Sequence, residues 1–241
     1  MIDADIKSIS KEWVYKLISP LICEDIEFVF PDYYRAGNEG NSTRHLAAPI
    51  IYKLFKKNIP QPIGGDFGFT RRFIDTFMSK SFKESTLQYG IDINMTFTVL
   101  TNHMPYKIVN LGVKNHNDSF YKMIPIFKNV ATEIDSILDE NSEIRENYAK
   151  DRITYEWEEK KKESNQILNH FDEMNIMYND IMEKYGFKED DVMNDSAWNQ
   201  VLDNFIVKKI NVNIVAALFV LRVFWFWKNG LEFFALERPS Y

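Results

Sequence analysis

The chain has 241 residues, of which 45% are hydrophobic and 27% charged, and it carries a net charge of −6. These values fit a globular protein of one large domain, or one domain plus an extension, and the acidic balance without a long basic run excludes a nucleic-acid binder. The single cysteine, Cys23, excludes an intrachain disulfide framework and a cysteine zinc site and fits a reducing, cytoplasmic setting, and the N-terminus lacks the basic and apolar regions of a signal peptide.

Met1-Ile2-Asp3-Ala4-Asp5 reads as the C-terminal end of a buried strand. Alternation places Asp3 and Asp5 on one face, where a divalent cation would relieve their repulsion. A solvated turn with no ligand is the plainer alternative. A helix capped by Ser10 is expected to run to about Ser19 and stop before Pro20. Ile26 to Phe30 is a short strand ended by Pro31. Strand, helix and strand in so short a span indicate an α/β unit.

Residues 32–44 read as a loop that carries two arginines, two tyrosines, two glycines and two asparagines. A ligand-binding loop and a solvated connection both fit that composition. A helix follows from about Leu46 to Lys57, with Pro49 near its first turn. Pro60 to Phe69 is the most constrained loop. Its prolines fix the approach, and Gly64, Gly65 and Gly68 allow backbone to come close to a ligand. Asp66 stands between apolar flanks and needs a partner, unless it caps the helix expected over Thr70 to Met78. Tyr89 to Met95 fits period 2 and period 3.6 equally, so strand and helix both stand, and Asp92 is either capped by backbone N–H groups or functional. Lys107 to Val113 is a strand that delivers His116, and a structural histidine is the commoner outcome at such a place.

After Asp118 the pattern becomes helical. Phe120 to Leu138 is one helix with Pro125 in its first turns. Asp139 to Gln166 is a solvated helix of mixed charge, including Lys160, Lys161 and Lys162. Ile167 to Tyr185 is amphipathic and ends at Gly186; Asp195 starts another helix, with Val201, Leu202, Phe205 and Ile206 on one face. Val212 to Asn229, ending at Gly230, is apolar nearly all round and belongs in a core or an oligomer interface; its apolar runs are too short and interrupted for a transmembrane helix.

Taken in order, Asp-Ala-Asp, the Arg-bearing Gly/Asn/Thr loop, Pro-x-Gly-Gly-Asp, Tyr-Gly-Ile-Asp and Leu-Gly-Val-Lys-Asn-His over residues 1–118 resemble the second half of a GT-A-fold catalytic domain. More narrowly, they resemble the retaining glucosyl-3-phosphoglycerate and mannosylglycerate synthases. The resemblance implies an α/β fold: an incomplete GT-A mixed sheet over 1–118, without the nucleotide-base pocket that precedes D-x-D, and an α-helical region over 119–241.

It implies a metal site of Asp3, Asp5 and His116 for Mg²⁺ or Mn²⁺, with Asp66 and Asp92 as the catalytic acids that hold the transferred hexose. Substrate contacts would come from Arg35, Gly40, Asn41, Thr43, Arg44, Gly64, Gly65 and Tyr89. Where phosphoglycerate enzymes carry an arginine, this chain has Asn41, and Arg44 or Arg35 would take that role. The implied activity moves a hexose with retention from a GDP-mannose or UDP-glucose type donor to a small anionic acceptor such as phosphoglycerate or glycerate. Two alternatives stand beside it: a lipid-linked acceptor, and a truncated or partner-dependent remnant without activity of its own. A homo-oligomer or partner chain is expected to cover an open sheet edge at residues 1–3.

Overall fold

The computed structural model describes residues 1–35, 39–157, 170–188, 193–208 and 210–230. Its strands form a three-stranded mixed sheet in the order β2-β1-β3, so the fold is α/β. Strand β1 (Phe28–Tyr34) is central, antiparallel to β2 (Gly68–Phe69) and parallel to β3 (Tyr106–Val113). Alternation along β1 divides the core. Phe28 and Phe30 face a large cluster shared with the helices, while Val29 and Tyr33 face a smaller one with Trp13 and Leu17 of helix α1 (Lys11–Cys23) and Leu111 of β3.

Three expectations near the N-terminus are corrected. Residues 1–10 form no strand, and Ala4 and Asp5 lie in a turn. Met1 exchanges backbone hydrogen bonds with Phe67, at 2.8 and 3.0 Å, but the Asp3 N–H then turns to Asp66 Oδ1 at 3.1 Å. A side chain takes the place of a ladder partner, and the extended run ends there. Helix α1 starts at the expected cap, with the Trp13 N–H donating to Ser10 Oγ, but it runs through Pro20 to Cys23. An interior proline costs a helix about 3 kcal/mol. Burial of Pro20 and packing of Leu21 against the smaller cluster offset it. Strand β1 likewise runs through Pro31, because β2 pairs only with Phe28 and Val29 and leaves the ladder on that side free beyond them.

The open sheet edge is not at residues 1–3. Among the described residues β3 has no partner on its outer side, and Ile108 and Val113 are exposed there.

The expected loop over 32–44 is also shorter than anticipated. Helical geometry begins at Asn41, with the Arg44 N–H donating to Gly40 O, and Thr43–Ala47 is a π-helical turn closed by Ala48 N–H to Thr43 O. It leads into α2 (Ala48–Phe55), with Pro49 in its first turn, and α3 (Arg71–Met78) follows with Thr70 as its cap. The segment left open between strand and helix is helix α4 (Ile91–Thr101).

A 3₁₀ turn (Phe120–Lys122) leads into α5 (Met123–Glu140), then α6 (Ser142–Lys150), α7 (Phe171–Tyr185), α8 (Asp195–Lys208) and α9 (Val212–Gly230). Gly186 ends α7 with φ +66°. Of the charged helix expected over 139–166, α6 covers 142–150 and residues 151–157 are not helical; residues 158–166, with Lys160 to Lys162, and Ile167 and Leu168 lie outside the described residues. One hydrophobic cluster runs from Phe28 and Phe30 through Phe97 and Phe127 to Phe219 and Trp227. Val212–Asn229 is long and apolar enough to cross a bilayer by composition, yet half of it is buried against the other helices. Within it Arg222 is fully buried and bonds Asp195 at 2.5 Å.

Candidate active site

The site is assembled at the end of β3, on the loop before β2 and at the start of α4. Lys114 follows β3 directly and is buried. Its ammonium donates to Asp66 Oδ2 at 2.7 Å, Gly64 O at 2.8 Å and Tyr33 Oη at 3.2 Å, and reaches Asp3 Oδ2 at 3.3 Å. Asp66 is wholly buried, so Lys114 is the partner that its apolar flanks demanded. The Tyr33 hydroxyl donates to Gly64 O at 2.6 Å and receives a bond from Arg35 at 2.9 Å, whose guanidinium also covers the Tyr33 ring. Gly65 must be glycine. Its φ is +77°, and a Cβ there would lie 2.0 Å from Asp3 Oδ2.

Burial works against the Lys114 charge and Arg35 adds to that, but Tyr33 and Asp66 outweigh both, so the ammonium titrates above the usual lysine value. Burial also pushes the Tyr33 phenol up, against the pull of Arg35 and Lys114. Asp92, in the first turn of α4, faces the same group. Loss of hydration, then the negative charge of Asp3, with a further contribution from Asp66, pushes its carboxyl up to about 7; Lys114 and a Gly65 N–H pull the other way. One carboxyl of the cluster is thus poised to exchange a proton near neutral pH, while Lys114 keeps its charge.

Arg35 joins this floor to an arginine-rich wall. Arg44 is held down to about 10 by burial and by the charges of Arg35 and Arg222, with Tyr155 opposing. It stacks over Phe226. His45 is fully buried, and burial with Arg222 and Arg44 holds it well below the usual histidine value, so it is neutral. Asn41 and Thr43 are buried at the start of the same helical segment, and Asn41 Nδ2 points to Met123 Sδ at 3.6 Å. Gly40, with φ +66°, packs against the Arg35 side chain.

The structure therefore brings together Asp3, Asp66, Asp92, Gly64 and Gly65, with Arg35 linking them to Arg44. Asp5 is exposed in its turn, and Tyr89 is exposed just before α4. His116 Nδ1 faces Asn117 O at 2.6 Å, and its Nε2 lies 3.7 Å from Glu39. Among the described residues no group of three His, Cys, Asp or Glu side chains stands close enough to hold a metal ion. Asp3 is engaged by Lys114 instead, and of His116 the buried Nε2 has no hydrogen-bond partner. As a three-donor cage for Mg²⁺ or Mn²⁺, Asp3, Asp5 and His116 do not fit.

Sequence reasoning missed Lys114 and Tyr33. An acid between apolar residues calls for a cation, but no local pattern says which residue supplies it, and nothing in the sequence marks Tyr33.

No family model matches the chain, and no curated protein matches it. Among solved structures it is similar to the glucosyl-3-phosphoglycerate synthase of Mycobacterium tuberculosis. The structure with Mn²⁺, UDP and phosphoglyceric acid matches at 21% identity and a TM-score of 0.47, over 57% of this chain and 46% of that one. The same enzyme with Mn²⁺, UDP-glucose and glycerol 3-phosphate matches at 23% identity and a TM-score of 0.44, over 57% and 47%. The chain thus spans under half the length of the synthase.

Proposed function

We propose that this chain carries the hexose- and acceptor-handling side of a nucleotide-sugar glycosyltransferase. A hexose would pass, with retention, from a UDP-glucose or GDP-mannose type donor to a small anionic acceptor of the phosphoglycerate or glycerate kind. The observation that carries the proposal is convergence: Asp3, Asp66, Asp92 and Lys114, from four separate stretches of sequence, meet at one place, and the Arg35 charge lies near both them and Arg44.

Each group has work in that chemistry. Asp66, wholly buried, fixes the Lys114 ammonium and the Asp3 N–H beside the place of the hexose. Asp92, titrating near neutrality, both donates to and accepts from a hydroxyl. Lys114 stands beside the place where charge grows on a leaving diphosphate. Arg35 and Arg44 suit a carboxylate or phosphate on the acceptor, with Asn41 and Thr43 at the start of the helical segment beside them. Holding the acceptor hydroxyl on the leaving-group face of the anomeric carbon gives retention, and that orientation supplies much of the rate. A divalent cation belongs to the proposal only as an ion brought with the donor, drawing most of its ligands from the diphosphate and water.

The test is transfer of labelled hexose from each donor to 3-phosphoglycerate and glycerate. Arg44→Met is expected to raise the acceptor KM at least about tenfold. Unchanged acceptor KM would remove Arg44 from the acceptor site. A second reading, in which a partner chain is required, is favoured by the unpaired apolar outer edge of β3. A monomer by light scattering that transfers hexose alone would dismiss it.

A further inference from the structure

We propose that Glu133 is a positioning residue for this site: from α5 it fixes the start of α4, and with it Asp92, against the Gly65 loop. The inference rests on the glycosyl-transfer reading for its meaning, but not for its geometry.

Glu133 is 1% exposed and accepts three side-chain hydrogen bonds. Ser85 Oγ donates at 2.5 Å, Thr86 Oγ1 at 2.8 Å and Asn94 Nδ2 at 2.5 Å. Three segments are therefore fastened by one carboxylate: α5, which carries it, the turn before α4, and the first turns of α4 itself. The turn is held by its own bonds. Leu87 N–H donates to Lys83 O, Gln88 and Gly90 N–H both donate to Ser85 O, and Lys83 N–H donates to Thr86 Oγ1. Gly90 caps α4 with no side-chain bond, so the helix start has no local lock. The fit at Gly90 is close. A Cβ there would lie 2.5 Å from Ser85 O and 2.8 Å from Glu133 Cβ, so only glycine lets the turn seat on α5.

From the other side, Thr96 Oγ1 donates to Pro62 O at 2.6 Å, which ties α4 to the loop that carries Gly64, Gly65 and Asp66. Asp92 sits two residues before Asn94 and one turn before Thr96, on the helix held by both ties, with the Gly65 N–H near enough to favour its charged form. A carboxylate is an expensive group to bury. An apolar side chain would fill the same volume but would let α4 slide, and small displacements at a reacting centre are costly in rate.

The experiment compares wild type, Glu133→Met and Glu133→Gln by the Gly65 backbone amide resonance and by hexose-transfer kinetics. Methionine fills the volume and leaves Ser85, Thr86 and Asn94 without their acceptor. In folded E133M the Gly65 proton resonance should move upfield as the Asp92 carboxyl shifts away from it, and kcat should fall at least about tenfold with the donor KM within about twofold. Glutamine should restore both, since its oxygen can accept from Asn94 and the Ser85 hydroxyl can turn to accept from its amide. A purely structural Glu133 would lower the melting temperature of E133M and leave the Gly65 resonance in place; that result overturns the proposal. If E133M does not fold, Thr86→Val, which removes one donor at constant shape, is read the same way for a smaller shift. If the wild type transfers no hexose, the glycosyl-transfer reading fails, while the Gly65 resonance still decides the role of Glu133.

Discussion

Among the described residues two lysines are buried, and they serve different ends. Lys114 and Lys53 each place an ammonium against an aspartate, at 2.7 Å from Asp66 and 2.8 Å from Asp203. Lys53, on α2, completes its shell with Ile153 O at 2.7 Å and the Tyr148 hydroxyl at 3.4 Å, and Tyr148 donates to Asp203 at 2.5 Å. Burial lowers the Lys53 value and the Asp203 bond raises it in part. Burial, then Asp203, push the Tyr148 phenol well above the usual tyrosine range, so it stays neutral. One cation meets one anion there, and the group braces α2 against α6 and α8.

Around Lys114 the charges are not matched. Three carboxylates lie about the Lys114 ammonium and the Arg35 guanidinium, two of them with access to solvent, and one is left titrating near neutral pH. A brace needs matched partners; a reacting site needs a surplus that a substrate can complete.

Breaking each pair should separate the two ends. Lys114→Met leaves the wholly buried Asp66 without a cation, an expected loss of about 3–5 kcal/mol in urea unfolding together with loss of hexose transfer. Asp66→Asn placed in the same chain should recover much of the stability and none of the activity. Lys53→Met leaves an aspartate that is 22% exposed and can be rehydrated, so the loss should be smaller, about 1.5–3 kcal/mol, with transfer retained. A Lys53 variant that folds but transfers no hexose would erase the distinction.

The pH dependence of stability sharpens it further. The Asp92 carboxyl is raised to about 7 in the folded chain and ionises near 4 when unfolded. Between those values the folded state holds the extra proton, so stability should fall as pH rises from about 4 to about 7. Asp92→Asn should flatten that slope in urea midpoints measured across the window. The helical region has its own titrating group, His170, bonded to Asp118 and to Glu173. The Asp118 bond chiefly raises its value, against burial, so its stabilisation is complete below about 6.5 and lost as pH rises through the raised value. His170→Gln should remove that later and smaller dependence, a fraction of about 1 kcal/mol for so exposed a pair.

Much of this arrangement was legible in the sequence, and the exceptions have physical causes. The caps at Ser10 and Gly186, strand β3 and helices α5, α8 and α9 follow local rules that tertiary context did not override. Helix α4 was not readable because every residue from Ile93 to Leu100 is buried, which erases the polar face that would reveal its period. Pro20 and Pro31 misled because their cost depends on which neighbour is lost, and that is a property of the sheet. Asp66 and Asp92 were legible as acids in apolar settings. The ammonium that binds Asp66 and lies beside Asp92 was not, since a contact between Lys114 and Asp66 leaves no local trace.

The most direct test of the central claim is hexose transfer from UDP-glucose or GDP-mannose to 3-phosphoglycerate, measured side by side for wild type, Asp92→Asn and Lys53→Met. The site described here predicts transfer by wild type and by Lys53→Met, and a fall of at least about a hundredfold in Asp92→Asn. Transfer by Asp92→Asn at the wild-type rate would show that the cluster around Lys114 is not where the hexose moves.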